Sequence, residues 1–214
     1  LNNSTFTGHQ SHAAAAIKGA FDARVQVDNA RTSYTSPITY PGATNWGNLG
    51  GRFKDIAALI KGGFDTRVFY TMLDNFDTHS AQIGGSLTTG RHAELLSAWD
   101  DALDAFILDL KDMNVYNDTA IIIISEFGRR NYENGSSGTD HGFGNYVYVV
   151  GGRVNGGFYG PALTNNDLDD ETWRYDIDFR TVYIDLFQQH MGIDLTPIFP
   201  ETRPKLTSPG TFIS

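Results

Sequence analysis

Thr119-Ala120-Ile121-Ile122-Ile123-Ile124-Ser125 is an uninterrupted aliphatic run with no polar alternation. A strand with one wet face alternates polar and apolar residues, so this run predicts a central strand of a parallel sheet, covered on both faces. Upstream, Leu95, Leu96, Trp99, Leu103, Phe106, Ile107 and Leu110 recur at helical spacing and predict a long helix from Arg91 to about Met113. Before that helix, Thr66-Arg67-Val68-Phe69-Tyr70-Thr71-Met72-Leu73 is β-branched and aromatic, with Gly62-Gly63 upstream and Asp74-Asn75 downstream, the pattern of a strand. Strand, helix, strand compose a βαβ unit. The fold class that follows is α/β: a doubly wound, mostly parallel sheet with helices on both faces.

Further from this unit the signals are simpler. Ala13 to about Asp28 has the Ala-rich composition of a helix, after a polar and irregular stretch at residues 1–11. Pro37, Pro41, Gly42 and Gly47 make residues 31–48 a loop, and Leu49, Phe53, Ile56 and Ile60 then give a helix that Gly62-Gly63 stops. Asn145 to Val150 reads as a third strand, and Phe179, Val182, Tyr183, Leu186, Phe187 and His190 place a helix over about 178–191. Residues 1–214 are read as one domain, with helix and loop over 1–48 and a Pro-rich tail over 195–214.

Composition narrows the function classes. With 16 Lys+Arg against 25 Asp+Glu the formal charge is −9, a field that opposes nucleic acid and anionic lipid. The chain has no cysteine, so disulfides, thiolate nucleophiles and Cys-bound metals are excluded together and any metal must use His and carboxylates. The longest aliphatic run, Ala120–Ile124, falls far short of the roughly 20 apolar residues of a membrane span. The chain opens Leu1-Asn2-Asn3-Ser4, without initiator Met or leader, as expected of a processed or truncated product.

A parallel βαβ unit delivers the loops leaving its strands to one edge of the sheet, where open α/β sheets bind ligands. The first strand leads into Asn75-Phe76-Asp77-Thr78-His79 and the second into Glu126-Phe127-Gly128-Arg129-Arg130. A third cluster, Gly138-Thr139-Asp140-His141-Gly142, precedes the third strand. If the 126–144 loop stays at that rim, the third strand runs back antiparallel and the clusters converge. Asp77, His79, Glu126, Asp140 and His141 then offer carboxylates and imidazoles to a divalent cation, zinc first, with manganese, magnesium or calcium as alternatives. Arg129 and Arg130 suit a tetrahedral anion as substrate-binding groups, or else pair with Glu126 and Glu133. His190 reads as a core or helix-end residue and His92 as a surface residue opening the long helix.

The motifs Phe76-Asp77-Thr78-His79-Ser80-x-Gln82, Ser125-Glu126-Phe127-Gly128-Arg129-Arg130, Glu133-Asn134, Gly138-Thr139-Asp140-His141-Gly142 and Asp178-Phe179-Arg180-Thr181-Val182-Tyr183 resemble the bacterial family called domain of unknown function 1501. The likeness runs from about Tyr40 to Gly192. That family is grouped with the alkaline phosphatase and sulfatase superfamily, so the resemblance implies an alkaline phosphatase-like fold with a metal-dependent site at the strand ends. It also implies twin-arginine export to a periplasmic or secreted location. By the same resemblance Asp77 and His79 correspond to the Asp and His that bind one metal after a central strand. His141 corresponds to the late His that returns to that metal, or Asp140-His141-Gly142 to the superfamily's Asp-His-Gly turn. Glu126 stands in the place of the acid at the second metal, but Phe127 replaces the His of that turn. Nothing before Arg67 reads as the first strand with its metal-binding Asp and Ser or Thr nucleophile, so by this resemblance the chain looks like a carboxyl-terminal portion: either those groups lie on a removed upstream segment, or this version lacks the full hydrolytic apparatus, and the nucleophile is not identified.

Three functions follow as expectations. The first is a metal-dependent hydrolase of phosphate or sulfate esters, small-molecule or polysaccharide. The second is a noncatalytic secreted module that keeps the fold with a structural ion, or binds anionic polysaccharide at its rim. The third, a glycosidase using Glu126 and Asp140, leaves His79 and His141 unexplained.

Overall fold

The computed structural model describes residues 8–160, 164, 168–169, 171–175, 177–199 and 213. In chain order the elements are α1 (His9–Ser33), α2 (Leu49–Lys61), α3 (Arg91–Asp112), β1 (Ala120–Ile123), β2 (Gly128–Arg129), β3 (His141–Gly142), β4 (Tyr148–Gly151), β5 (Leu168–Asp169), β6 (Thr172–Trp173) and α4 (Phe179–Leu186). A 3-10 turn spans Tyr116–Asp118, and α4 runs into a wider π turn at Phe187–Met191. The chain, read from its sequence as one domain, divides into two compact units: residues 1–74 with 98–109, and residues 75–97 with 110–214.

The first unit is helical. Asn48 caps α2, its Oδ1 accepting from Gly51 N at 3.0 Å, one of the backbone donors that a helix start leaves unpaired. Leu49, Phe53, Ala57 and Ala58 of α2 are buried, as are Ala102, Leu103, Ala105 and Phe106 of α3. The Phe53 and Phe106 rings stack with centroids 4.7 Å apart, an arrangement that adds to the area the pair removes from water. In the same unit the fully buried Asp109 carboxyl accepts from the Tyr34 and Tyr40 hydroxyls at 2.6 and 2.7 Å. These two phenols satisfy a carboxyl that would otherwise be buried at high cost.

Two expectations for this unit are corrected. The first helix spans His9–Ser33, so residues 9–11, read from the sequence as irregular, and residues 31–33, read as the start of a loop, are both helical. Thr66–Leu73 forms no strand: among the described residues it has no ladder partner, and Val68 and Tyr70 are 59% and 85% exposed. Propensity for strand describes a side chain that suits a pleated, paired surface, and this segment has no such pairing among the described residues.

Among the described residues the second unit holds three two-stranded antiparallel sheets, β1 with β4, β2 with β3 and β5 with β6. The aliphatic run forms β1, and β4 runs back against it with Ile122 opposite Val149, so the antiparallel return of the third strand is observed. Leu186 of α4 packs with Ile213 on Ala120, Ile122 and Val149. Asp178 caps α4 by accepting from Arg180 N at 3.0 Å, and Gly192, at φ 67°, ends the helical run in the left-handed region that glycine tolerates without strain. β2 and β3 pair in register, Gly128 with Gly142 and Arg129 with His141. The irregular stretch at 1–7, and the Pro-rich tail apart from residues 195–199 and 213, lie outside the described residues.

Candidate metal centre

Three loops of the second unit meet at one point, and the β2–β3 pairing is what closes it. Cross-strand partners share a face, so the register sets His141 beside Arg129. A Cβ at Gly142 would crowd the Arg129 backbone at 2.7 Å, and one at Gly128 would collide with the Gly144 carbonyl, so glycine permits this close approach of the strands. Arg129 then ties the 76–77 loop to the 139–141 segment. Its guanidinium donates to Thr139 O at 2.7 Å, to Phe76 O at 3.2 Å and to the Asp77 carboxylate. A second tie is Gln82, whose Oε1 accepts from the hydroxyls of Thr78 and Thr139, both at 2.8 Å.

Within this frame three ligand atoms converge. His79 Nε2 lies 2.9 Å from His141 Nε2, and Asp77 Oδ1 lies 3.0 Å from the first and 2.9 Å from the second. Three donors about 2.1 Å from one cation stand roughly 3.0–3.4 Å apart, for bond angles between octahedral and tetrahedral, so the triangle fits a single divalent ion with little adjustment. The side chains of Asp77, His79 and His141 are 63%, 44% and 47% exposed, which leaves the centre open to a ligand from solution.

The surrounding groups prepare these atoms. His79 Nδ1 faces Asp140 Oδ1 at 3.1 Å, and a carboxylate on Nδ1–H leaves Nε2 with its lone pair toward the centre, the arrangement in which ligating histidines are commonly held. Hydrogen bonds from His141 and then Arg129 hold the Asp77 carboxyl down to about 2, so it is ionised at neutral pH. Asp140 is also held below the ordinary carboxylate range, first by Asn134 and then by His79. The Phe127 ring lies against the His141 ring, centroids 4.0 Å apart, and forms an apolar wall on one side.

Of the five predicted ligands the fold gathers Asp77, His79 and His141, with Asp140 behind His79. Glu126 is outside this group, exposed in the turn that Ser125 closes by donating to Phe127 O at 2.8 Å. Among the described residues Arg129 pairs with Asp77, and Arg130 reaches Glu171 at 3.4 Å with its guanidinium over the Tyr132 ring. His190 closes the end of the α4 segment, its Nε2 lying 3.1 Å from Asp118 O. His92 is not a surface residue. It is half-buried edge-on to Phe76, and burial with Arg129 nearby lowers its pKa. The sequence motifs include Gln82 and Asn134 but give them no role, although the turn-rich run Asn134-Gly135-Ser136-Ser137-Gly138 signals a loop organised by an Asn side chain.

The sequence profile of the family described as protein of unknown function (DUF1501) matches residues 53–197, about two thirds of the chain and every residue of this centre. The chain belongs to that family. Neither among curated proteins nor among solved structures does any match it. No helix of the described residues is long and apolar enough to cross a membrane.

Proposed function

We propose that the chain is a metal-dependent hydrolase of phosphate or sulfate esters, its cation held by Asp77, His79 and His141. The observation that carries this reading is the triangle of Asp77 Oδ1, His79 Nε2 and His141 Nε2 with edges of 2.9–3.0 Å. Two neutral imidazoles and one carboxylate suit zinc or manganese better than magnesium or calcium, which favour oxygen donors. A bound cation would supply Lewis-acid polarisation of an ester oxygen. The protein's own part is to keep Asp77 ionised through Arg129, and to hold His79 through Asp140. Placement in the alkaline phosphatase and sulfatase superfamily, with its doubly wound parallel sheet, and a periplasmic or secreted location belong to the same proposal. The motif resemblance supports them.

A second reading rests on Arg129. Its guanidinium donates inward, to two carbonyls and to Asp77, which favours a noncatalytic module with a structural ion over an anion-binding arginine. Turnover of p-nitrophenyl phosphate or sulfate by the full-length protein, with zinc or manganese supplied, separates the two. The hydrolase reading expects metal-dependent turnover that falls more than about 100-fold in Asp77→Ala and His141→Ala, beyond the effect of losing an outer partner. Metal binding without turnover establishes the second reading.

A further inference from the structure

Asn134 is placed to govern the metal centre without touching the cation. Its side-chain Oδ1 accepts from the backbone N–H of Ser136 at 2.9 Å and of Gly138 at 3.1 Å. Backbone N–H groups can only donate, so the atom facing them is the oxygen and the orientation of the amide is settled by its partners. The NH2 group therefore points the other way, where it donates to Asp140 Oδ1 at 2.9 Å and to the His79 carbonyl at 3.0 Å. Asp140 Oδ1 is the same oxygen that meets His79 Nδ1. The loop has no slack at this point, because a Cβ on Gly138 would collide with the Thr78 and His79 backbone.

The contacts form a chain: Asn134 NH2 donates to the Asp140 carboxylate and His79 Nδ1 faces the same oxygen, while Asp77 Oδ1 lies 3.0 Å from His79 Nε2. Neutral histidine carries one ring proton, and the hydrogen bond made by one nitrogen determines what the other can do. We propose that Asn134 is a positioning residue which, by orienting Asp140, sets the Nδ1–H tautomer and the ring direction of His79. The inference rests on the metal-binding reading for its consequence, ligand affinity, but its structural content is the state of one imidazole. Nothing in the ligand triangle itself requires Asn134.

The decisive variant is Asn134→Asp. It keeps an oxygen for the Ser136 and Gly138 N–H groups, but sets a second oxygen against both Asp140 and the His79 carbonyl. Two measurements read it, and the first is the ring-nitrogen NMR shifts of His79 in metal-free protein at a pH of about 8 or above, where an ordinary imidazole is neutral. Wild type is expected as the Nδ1–H form, with Nε2–H appearing in the variant. The second is calorimetric titration with zinc, in which the variant is expected to bind roughly 10–100-fold more weakly, the range for losing an outer partner of a ligating histidine. In an Asp140→Ala background, where the shared acceptor is gone, Asn134→Asp should add little further loss of affinity, whereas an effect that does not pass through Asp140 would persist there at full size. Unchanged His79 shifts in Asn134→Asp overturn the proposal. If wild type binds neither zinc nor manganese, the metal reading fails, and the tautomer measurement alone still decides the role of Asn134.

Discussion

Asp77 Oδ1 is shared by His79, His141 and Arg129, and that crowding explains both its charge and its availability. Its folded-state pKa of about 2 lies below the ordinary value of about 3.9, so its contribution to the fold is present above pH about 4 and is lost as pH falls toward 2. The site therefore keeps its carboxylate charge through the whole physiological range. His92 adds a pH dependence nearer neutrality. Burial against Phe76 lowers its pKa, so the unfolded chain binds a proton more readily than the folded one as pH drops below about 6.5. Stability linked to His92 is thus full above that pH and declines in acid. Urea midpoints taken at about pH 7.5 and about pH 5 should fall less in His92→Gln than in wild type. Equal declines would show that protonated His92 carries no burial penalty.

At the level of elements, the helices were the most legible part of the sequence and the strands the least. α2 and α3 fall where the spacing of Leu49, Phe53, Ile56 and Ile60 and of Leu95, Leu103, Phe106 and Leu110 places them, because a helix makes its own backbone hydrogen bonds and needs only one apolar stripe. A strand needs a partner that its own sequence does not encode. The run at 120–123 found one in β4, whereas Thr66–Leu73, with an equally strong pattern, has none among the described residues. The inward turn of Asp109 was also hidden, since an acid on a helix normally faces water and only the distant Tyr34 and Tyr40 make its burial tolerable. Tyr40→Phe removes one donor from that buried carboxyl and should cost about 1.5–3 kcal/mol in urea unfolding, as for hydrogen bonds to charged groups. A loss below about 0.5 kcal/mol, the size of a neutral surface change, would mean that the pair does not hold the acid.

For the molecule as a whole, the candidate centre was legible to the extent that residue types carry it. Asp77, His79, Asp140 and His141 could be chosen because neutral imidazoles and carboxylates are the only strong ligands in a chain without cysteine. Glu126 satisfied the same rule and stands apart from the group, since the choice of side chain says nothing of where the turn at 125–127 directs it. The ties that assemble the centre, Gln82, Asn134 and the inward-facing Arg129, are ordinary polar residues by type, and only their partners mark them out. Zinc-edge X-ray absorption of the protein loaded at one equivalent tests the account most directly. Two imidazole nitrogens and one carboxylate oxygen at about 2.0–2.2 Å, with one nitrogen lost in His79→Ala and one in His141→Ala, are what this geometry predicts. A zinc spectrum unchanged by either substitution, or failure to retain one equivalent of zinc or manganese, would contradict it.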